Sequence, residues 1–473
     1  MDLTALPLRA AAARPHVLLV TTPGGTATRL AAERQLRLQD LPQARTPADA
    51  DVLLVAGPEC RGLRPAIDRL WQSLPAPRAR ARAATPGALP DALERCRAEL
   101  AEPRGLRHAE HRHENPAGVG PDEGPDAEFG NGRDERDGDG GGAHDGHERH
   151  DGHGPDGGNG GHEGHEAGEY HGSHDSPGSH GSHESPGSHG SHGRHGGHES
   201  HGSHSDHGDS GPPWGLPMAG QGEDRDGLTL DQLHVPLGPF LADWPDGLAA
   251  RLTLQGDVVQ RLEFERPPVG GGGSCPPFWG EPWARAAAGE RVAAGEGARR
   301  RAAAHADSLG RLLAVAGWAG AATTARRLRD DLLDGASSAE LRPGVRRFAR
   351  RVGRSRTLYW LTRGTGVLTA EAARDAGVTG PAARADGDVP ARYRTWLAAL
   401  VRDVDRLADR TPLDPAEDGP RGGAADGRWP SAALVRVLPG LLEGAELAAA
   451  RLVVASLDPD PDELAAVPRE VDA

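Results

Sequence analysis

Lysine is missing from this sequence: all 54 basic residues among 473 are arginine, and isoleucine occurs once, at Ile67. Such a bias reads as the product of a GC-rich coding sequence, so a single Arg or Ala says less about selection than usual. Cysteine is almost missing too. Cys60, Cys96 and Cys275 lie far apart and form no CxxC pair, which excludes a disulfide framework. No apolar run approaches the roughly 18 residues of a membrane span, so direct membrane insertion is not expected. Met1 to Arg14 has Arg9 and Arg14 but no apolar stretch followed by a cleavage site, and does not read as a signal peptide. The expected location is cytoplasmic, with any attachment to the inner face of the cell membrane made through partners. A net charge of −15 argues against general affinity for nucleic acid or anionic membrane. Apolar residues make up 36%, a low share, so part of the chain builds no core.

Composition divides the chain into residues 1–102, 103–227 and 228–473. The middle segment is mostly Gly, His, Asp, Glu, Ser and Pro and holds 20 of the 23 histidines. It carries 25 acidic and 8 basic residues, a net −17, which leaves the rest of the chain at +2. Such a segment buries too little apolar surface to offset the entropy of ordering and is expected to be a disordered linker. It contains a nine-residue repeat, HGSHDSPGS followed by HGSHESPGS and HGSHGRHGG.

The first segment predicts a small α/β domain with a flavodoxin-like parallel sheet. His16–Thr22 and Ala50–Gly57 read as buried strands, with helices from Gly24 to Leu38, Leu63 to Leu74 and Leu89 to Leu100. The third segment predicts an α+β, mostly helical domain that opens with a β-hairpin over Leu248–Glu265, turning at Gly256-Asp257. Helical periodicity follows: Leu309, Leu312, Leu313 and Ala316 share a stripe, Leu328, Leu332 and Leu333 continue after a break, and Arg392–Ala408 is amphipathic. A last helix is expected over Ser431–Ala449, running into a buried strand at Arg451–Leu457.

Tyr359–Pro381 resembles the quinone-site large subunit of complex I (NADH-quinone oxidoreductase) and of the related membrane-bound nickel–iron hydrogenases. The residues that carry this are Arg363, Gly364 and Gly366, then Gly377, Thr379, Gly380 and Pro381. Leu237-Gly-Pro239, Arg251–Asp257 and Leu452–Pro459 are similar to other parts of the same subunit. Ala50–Pro58, Leu63–Ala66 and Leu74–Pro77 resemble the partner small subunit, which carries a terminal iron–sulfur cluster. The resemblance covers roughly 330 residues in two blocks.

The family's metal ligands have no counterparts here. The turn after the first strand reads Thr21-Thr-Pro-Gly-Gly-Thr-Ala-Thr28, without the cluster cysteines. The terminal turn reads Asp458-Pro-Asp-Pro-Asp-Glu463 where hydrogenases place a CxxC pair, and Phe240–Asp246 lacks the expected quinone-site histidine. The resemblance therefore implies a degenerate, non-catalytic accessory or scaffold component, with complex-I-like or hydrogenase-like subunits as partners and neither an iron–sulfur cluster nor a nickel–iron centre bound. Two alternatives stand beside it: an electron-transfer subunit of the NADH dehydrogenase type that uses partner cofactors, and a nickel- or zinc-binding protein.

That last reading rests on His144, His147, His150 and His153, and on His189, His192, His195, His198, His201, His204 and His207, which recur every third residue. Neutral imidazole ligates nickel and zinc; the competing reading is an expanded low-complexity linker. Among other features, Cys60 reads as a half-buried thiol and His305 as a surface or interhelical histidine. Gly24-Gly25 lacks the GxGxxG and Walker patterns of a phosphate loop. Asp458, Asp460, Asp462 and Glu463 read as a solvated acidic end.

Overall fold

The computed structural model describes residues 14–101, 220–223, 229–265, 276–423 and 429–466, all within one compact unit. The histidines at 144–207, Cys275 and the boundaries of the 103–227 segment lie outside the described residues.

The N-terminal lobe is a three-stranded parallel sheet of β1 (Val17–Thr21), β2 (Val52–Ala56) and β3 (Ala79–Ala83), with β2 central. Both faces are covered, which is why Val17–Val20 of β1 and all of β2 are apolar rather than alternating. Helices α1 (Thr26–Leu38) and α3 (Leu89–Ala101) bury Leu36, Leu93 and Leu100 against one face. Helix α2 (Arg64–Ser73) buries Ile67 against the other. The third strand, Ala-Arg-Ala-Arg-Ala, gives no apolar run: its alanines point into the core while Arg80 and Arg82 reach Asp68 and the Pro58 carbonyl.

The C-terminal lobe opens with a four-stranded antiparallel sheet of β4 (Gly220–Glu223), β5 (Thr229–Leu237), β6 (Ala250–Gln255) and β7 (Val258–Phe264). The hairpin turns at Gly256-Asp257, as its sequence predicts, with Gly256 at φ +59°. Strand β4 lies inside the span expected to be linker; two of its four residues are glycine, and backbone pairing to β5 holds it. Helices follow: α4 (Glu281–Ala287), α5 (Ala294–Val315), α6 (Ala319–Leu333), α7 (Ser338–Gly353), α8 (Arg356–Thr362), α9 (Ala370–Asp375), α10 (Gly380–Ala385), α11 (Val389–Asp405), α12 (Ser431–Leu442), α13 (Leu447–Leu457) and α14 (Pro461–Ala465). Long α5 is central and packs against α6, α11 and α13. No helix among the described residues is long and apolar enough to cross a membrane.

The end of the chain corrects the sequence reading. The expected helix over Ser431–Ala449 breaks at Gly444, φ +83°, and Arg451–Leu457 is helix rather than strand. All six residues from Leu452 to Leu457 are buried. A short apolar run buried all round has no face to reveal its period.

Candidate functional site

The two lobes meet at three turns. The turn after β1 passes so close to the turn after β2 that a Cβ on Gly25 would lie 2.4 Å from the Ala56 carbonyl oxygen. A Cβ on Gly57, at φ +112°, would lie 2.6 Å from Thr22 Oγ1. Thr22 Oγ1 donates to the Pro58 carbonyl at 2.7 Å and closes this pair. The third turn comes from the far end of the chain. Helix α13 ends on Asp458, left-handed at φ +47°, and the Gly24 N–H donates to Asp462 Oδ1 at 2.7 Å.

The acidic residues of that third turn are buried, which corrects the expectation of a solvated end. Asp458 is 1% exposed and Glu463 2%. Asp458 Oδ2 accepts from Ser308 Oγ at 2.6 Å and from Arg421 Nη2 at 2.7 Å, and its Oδ1 pairs with Arg311. Glu463 Oε2 accepts from the backbone N–H and hydroxyl of Ser431. Asp460 Oδ1 accepts from the Asp462 N–H, while Asp460 Oδ2 has no hydrogen-bond partner and lies 3.8 Å from Arg421 Nη1. Burial pushes the Asp460 and Glu463 carboxyls above their usual range, against the pull of Arg421.

A second ionic cluster joins α1 to the helical lobe. Arg29 donates to Glu33, four residues on, and to Asp307 of α5. Arg329 of α6, fully buried, donates to Glu33 at 2.7 Å, to Asp307 at 2.5 Å and to Asp330 at 2.8 Å. Arg37 pairs with Asp330. Burial alone would raise the Glu33 carboxyl, but Arg329 and Arg29 outweigh it and hold it at about 2. Asp307 is likewise held well below its ordinary value, burial being outweighed by Arg29 and Arg329.

Between the lobes lies a cavity of about 230 Å³, walled in part by Thr21, Arg29, Phe240, Trp244, Asp246 and Arg311. Asp246 lines this cavity, and burial pushes its carboxyl up to about 6, against Arg29 and Arg311. The Phe240–Asp246 turn is fastened at Asp243, which pairs with Arg45 and Arg326.

No family model matches the chain, and no curated protein matches it. The solved structures it is similar to include a chain from the membrane-bound sulfane sulfur reductase (MBS), an archaeal respiratory membrane complex. The TM-score is 0.37 and the identity 16%, over 50% of this chain and 98% of that one.

The described side chains at the junction do not fit the metal centres of the subunits that the sequence resembles. An iron–sulfur cubane needs convergent thiolates, and a nickel–iron site needs soft ligands. Here Cys60 and Cys96 are buried on opposite faces of the N-terminal sheet. Cys60 is fully buried, not half-buried, and burial raises the Cys96 thiol to about 11. At the terminal turn the side chains are hard carboxylates, most of them engaged by guanidinium, hydroxyl or backbone N–H groups. His305 proves interhelical: it stacks on Trp396 with ring centroids 6.4 Å apart, and burial lowers it to about 3.

Sequence reasoning missed Arg29, Glu33, Asp307, Arg329 and Arg421. The opposite charges four residues apart at Arg29/Glu33 and Asp307/Arg311 were the visible signal. Their convergence was not, because Arg29 and Asp307 stand 278 residues apart.

Proposed function

We propose that this chain is a non-catalytic accessory or scaffold component of an NADH-quinone oxidoreductase-type assembly, built from a small-subunit-like lobe and a large-subunit-like lobe fused in one polypeptide. One observation supports the reading most. At the two turns where the resembled subunits carry thiolates, this chain has Gly24 on one side and Asp458–Glu463 on the other; the Gly24 N–H donates to Asp462, and Arg421 holds Asp458. The junction thus works as a clasp between lobes, with other complex-I-like or hydrogenase-like subunits as its partners. The test is anaerobic purification of the full chain, followed by iron and nickel analysis, absorption near about 400 nm and paramagnetic resonance after reduction. Sub-stoichiometric metal and no reduced-state signal are expected. A stoichiometric paramagnetic centre would overturn the proposal.

A second reading follows from the three-residue histidine period at 144–153 and 189–207. Those imidazoles offer many interchangeable nickel or zinc sites of moderate affinity. Calorimetric titration of either metal into the full chain should show several weak equivalents. Absence of binding at neutral pH would remove this reading and leave the first untouched.

A further inference from the structure

The outer side of the helical lobe carries a surface that the junction does not explain. Helix α7 packs inward through Leu341, Val345, Phe348 and Val352, which leaves more than half of its circumference facing outward over about 24 Å. Between residues 341 and 363 there are eight arginines and no acidic residue. Arg342 and Arg346 share Asp405. Arg347, Arg350, Arg351, Arg354, Arg356 and Arg363 are exposed and make no ion pair among the described residues. Helix α8 follows and presents three consecutive exposed apolar side chains, Tyr359, Trp360 and Leu361, with Trp360 at 69%. Val367 is exposed in the next loop. Arg394 lies over the Tyr359 ring at 5.0 Å.

We infer that this face binds directly to an anionic lipid bilayer, with Trp360 and Leu361 entering the headgroup boundary and the arginines of α7 and α8 meeting lipid phosphates. Both halves of the surface carry the inference. Exposed arginines without counter-charges attract any polyanion, including the acidic 103–227 segment of this chain or a nucleic acid. Those partners leave Leu361 and Val367 in water, and a duplex offers Trp360 no open base to stack on. A bilayer interface supplies anions and hydrocarbon together: tryptophan and tyrosine settle at headgroup level, and amphipathic, arginine-bearing helices lie in that plane. The chain's net charge of −15 does not oppose this, because charge is screened over about 8–10 Å. A headgroup meets the local arginines rather than the distant carboxylates. This inference stands apart from the proposed function, since it needs neither the clasp nor a partner subunit.

The test is co-sedimentation of the full chain with vesicles of phosphatidylcholine containing about 30% phosphatidylglycerol, against pure phosphatidylcholine. Binding to the anionic vesicles alone, reversed by high salt, is expected. The triple substitution Arg350→Gln, Arg354→Gln and Arg356→Gln should weaken partitioning by about fivefold per arginine, roughly a hundredfold together. The pair Trp360→Ser and Leu361→Ser should weaken it about tenfold and abolish the Trp360 share of quenching by brominated acyl chains. All five positions are exposed, so unchanged melting checks that the variants fold. Three results would overturn the inference: no sedimentation with anionic vesicles, binding that neither variant alters, or binding that follows the arginines alone and is matched by duplex DNA.

Discussion

Arginine is this protein's only side-chain cation at neutral pH, and the junction and the α7–α8 face use it in opposite ways. At the junction Arg29, Arg311, Arg329 and Arg421 are surrounded by carboxylates that they hold as anions or partly neutralise. On the outer face six arginines stand without any carboxylate among the described residues. The physical reason is solvent. A guanidinium taken out of water needs charged acceptors on several of its five N–H groups, whereas one in water is satisfied already. Burial therefore turns a generic cation into a specific, geometrically fixed joint, and exposure leaves it open to whatever anion arrives. Lysine would serve the first role poorly, since its single ammonium cannot bridge three carboxylates in a plane as Arg329 does.

The contrast gives a ranked set of expectations. Replacing Arg329 by Met leaves Glu33 and Asp307 to Arg29 and Asp330 to Arg37, an excess of buried negative charge that should cost about 3–5 kcal/mol in denaturant unfolding; a loss below about 1 kcal/mol would erase the contrast. Glu33→Gln should cost about 3 kcal/mol near neutrality. Because the Glu33 carboxyl is depressed to about 2, its contribution is present above the ordinary carboxylate range and disappears as pH falls through about 2. Stability curves of the two proteins should therefore converge in acid. Asp246 has the opposite sign. Its folded-state value of about 6 means that stability declines as pH rises from about 4 to 6 and stays reduced above that range. Asp246→Asn should stabilise the protein by about 1–2 kcal/mol at pH 8, with little effect at pH 4, read from melting temperatures at both. Last, Arg350→Gln and Arg354→Gln on the outer face should each change stability by less than about 0.5 kcal/mol. A larger loss there would mean that those arginines are structural after all.

Much of the scaffold was legible in the sequence because local periodicity encodes it. Strands β1 and β2, the 256–257 hairpin and the α5 stripe through Leu309, Leu312 and Leu313 each declare their partners' direction within a few residues. Strand β3 escaped because alanines alternating with arginines carry little apolar contrast, although burial depends on the alanines alone. Helix α13 was misread because Leu-Val-Val-Ala-Ser-Leu is rich in branched residues and buried all round, leaving its length and the Gly444 break as the only clues. The junction was the least legible part. Nothing near Asp458 announces that Ser308, Arg311 and Arg421 will surround it, and a run of acids beside prolines looks solvated until those partners arrive. Long-range charge pairing has no sequence period, so it stays invisible where packing of an apolar stripe does not.

The hydrogen bond from Gly24 to Asp462 joins residues separated by 438 positions. During synthesis the first lobe emerges with the Gly24 N–H of its β1 turn unmatched until Asp462 has been made and folded. The sheet can form early, but the seal between the lobes is set only after Asp458–Glu463 has left the ribosome. A chain stalled or cut short before residue 458 would keep both halves and lose the latch, exposing unmatched charge at the surface where a chaperone or protease finds it.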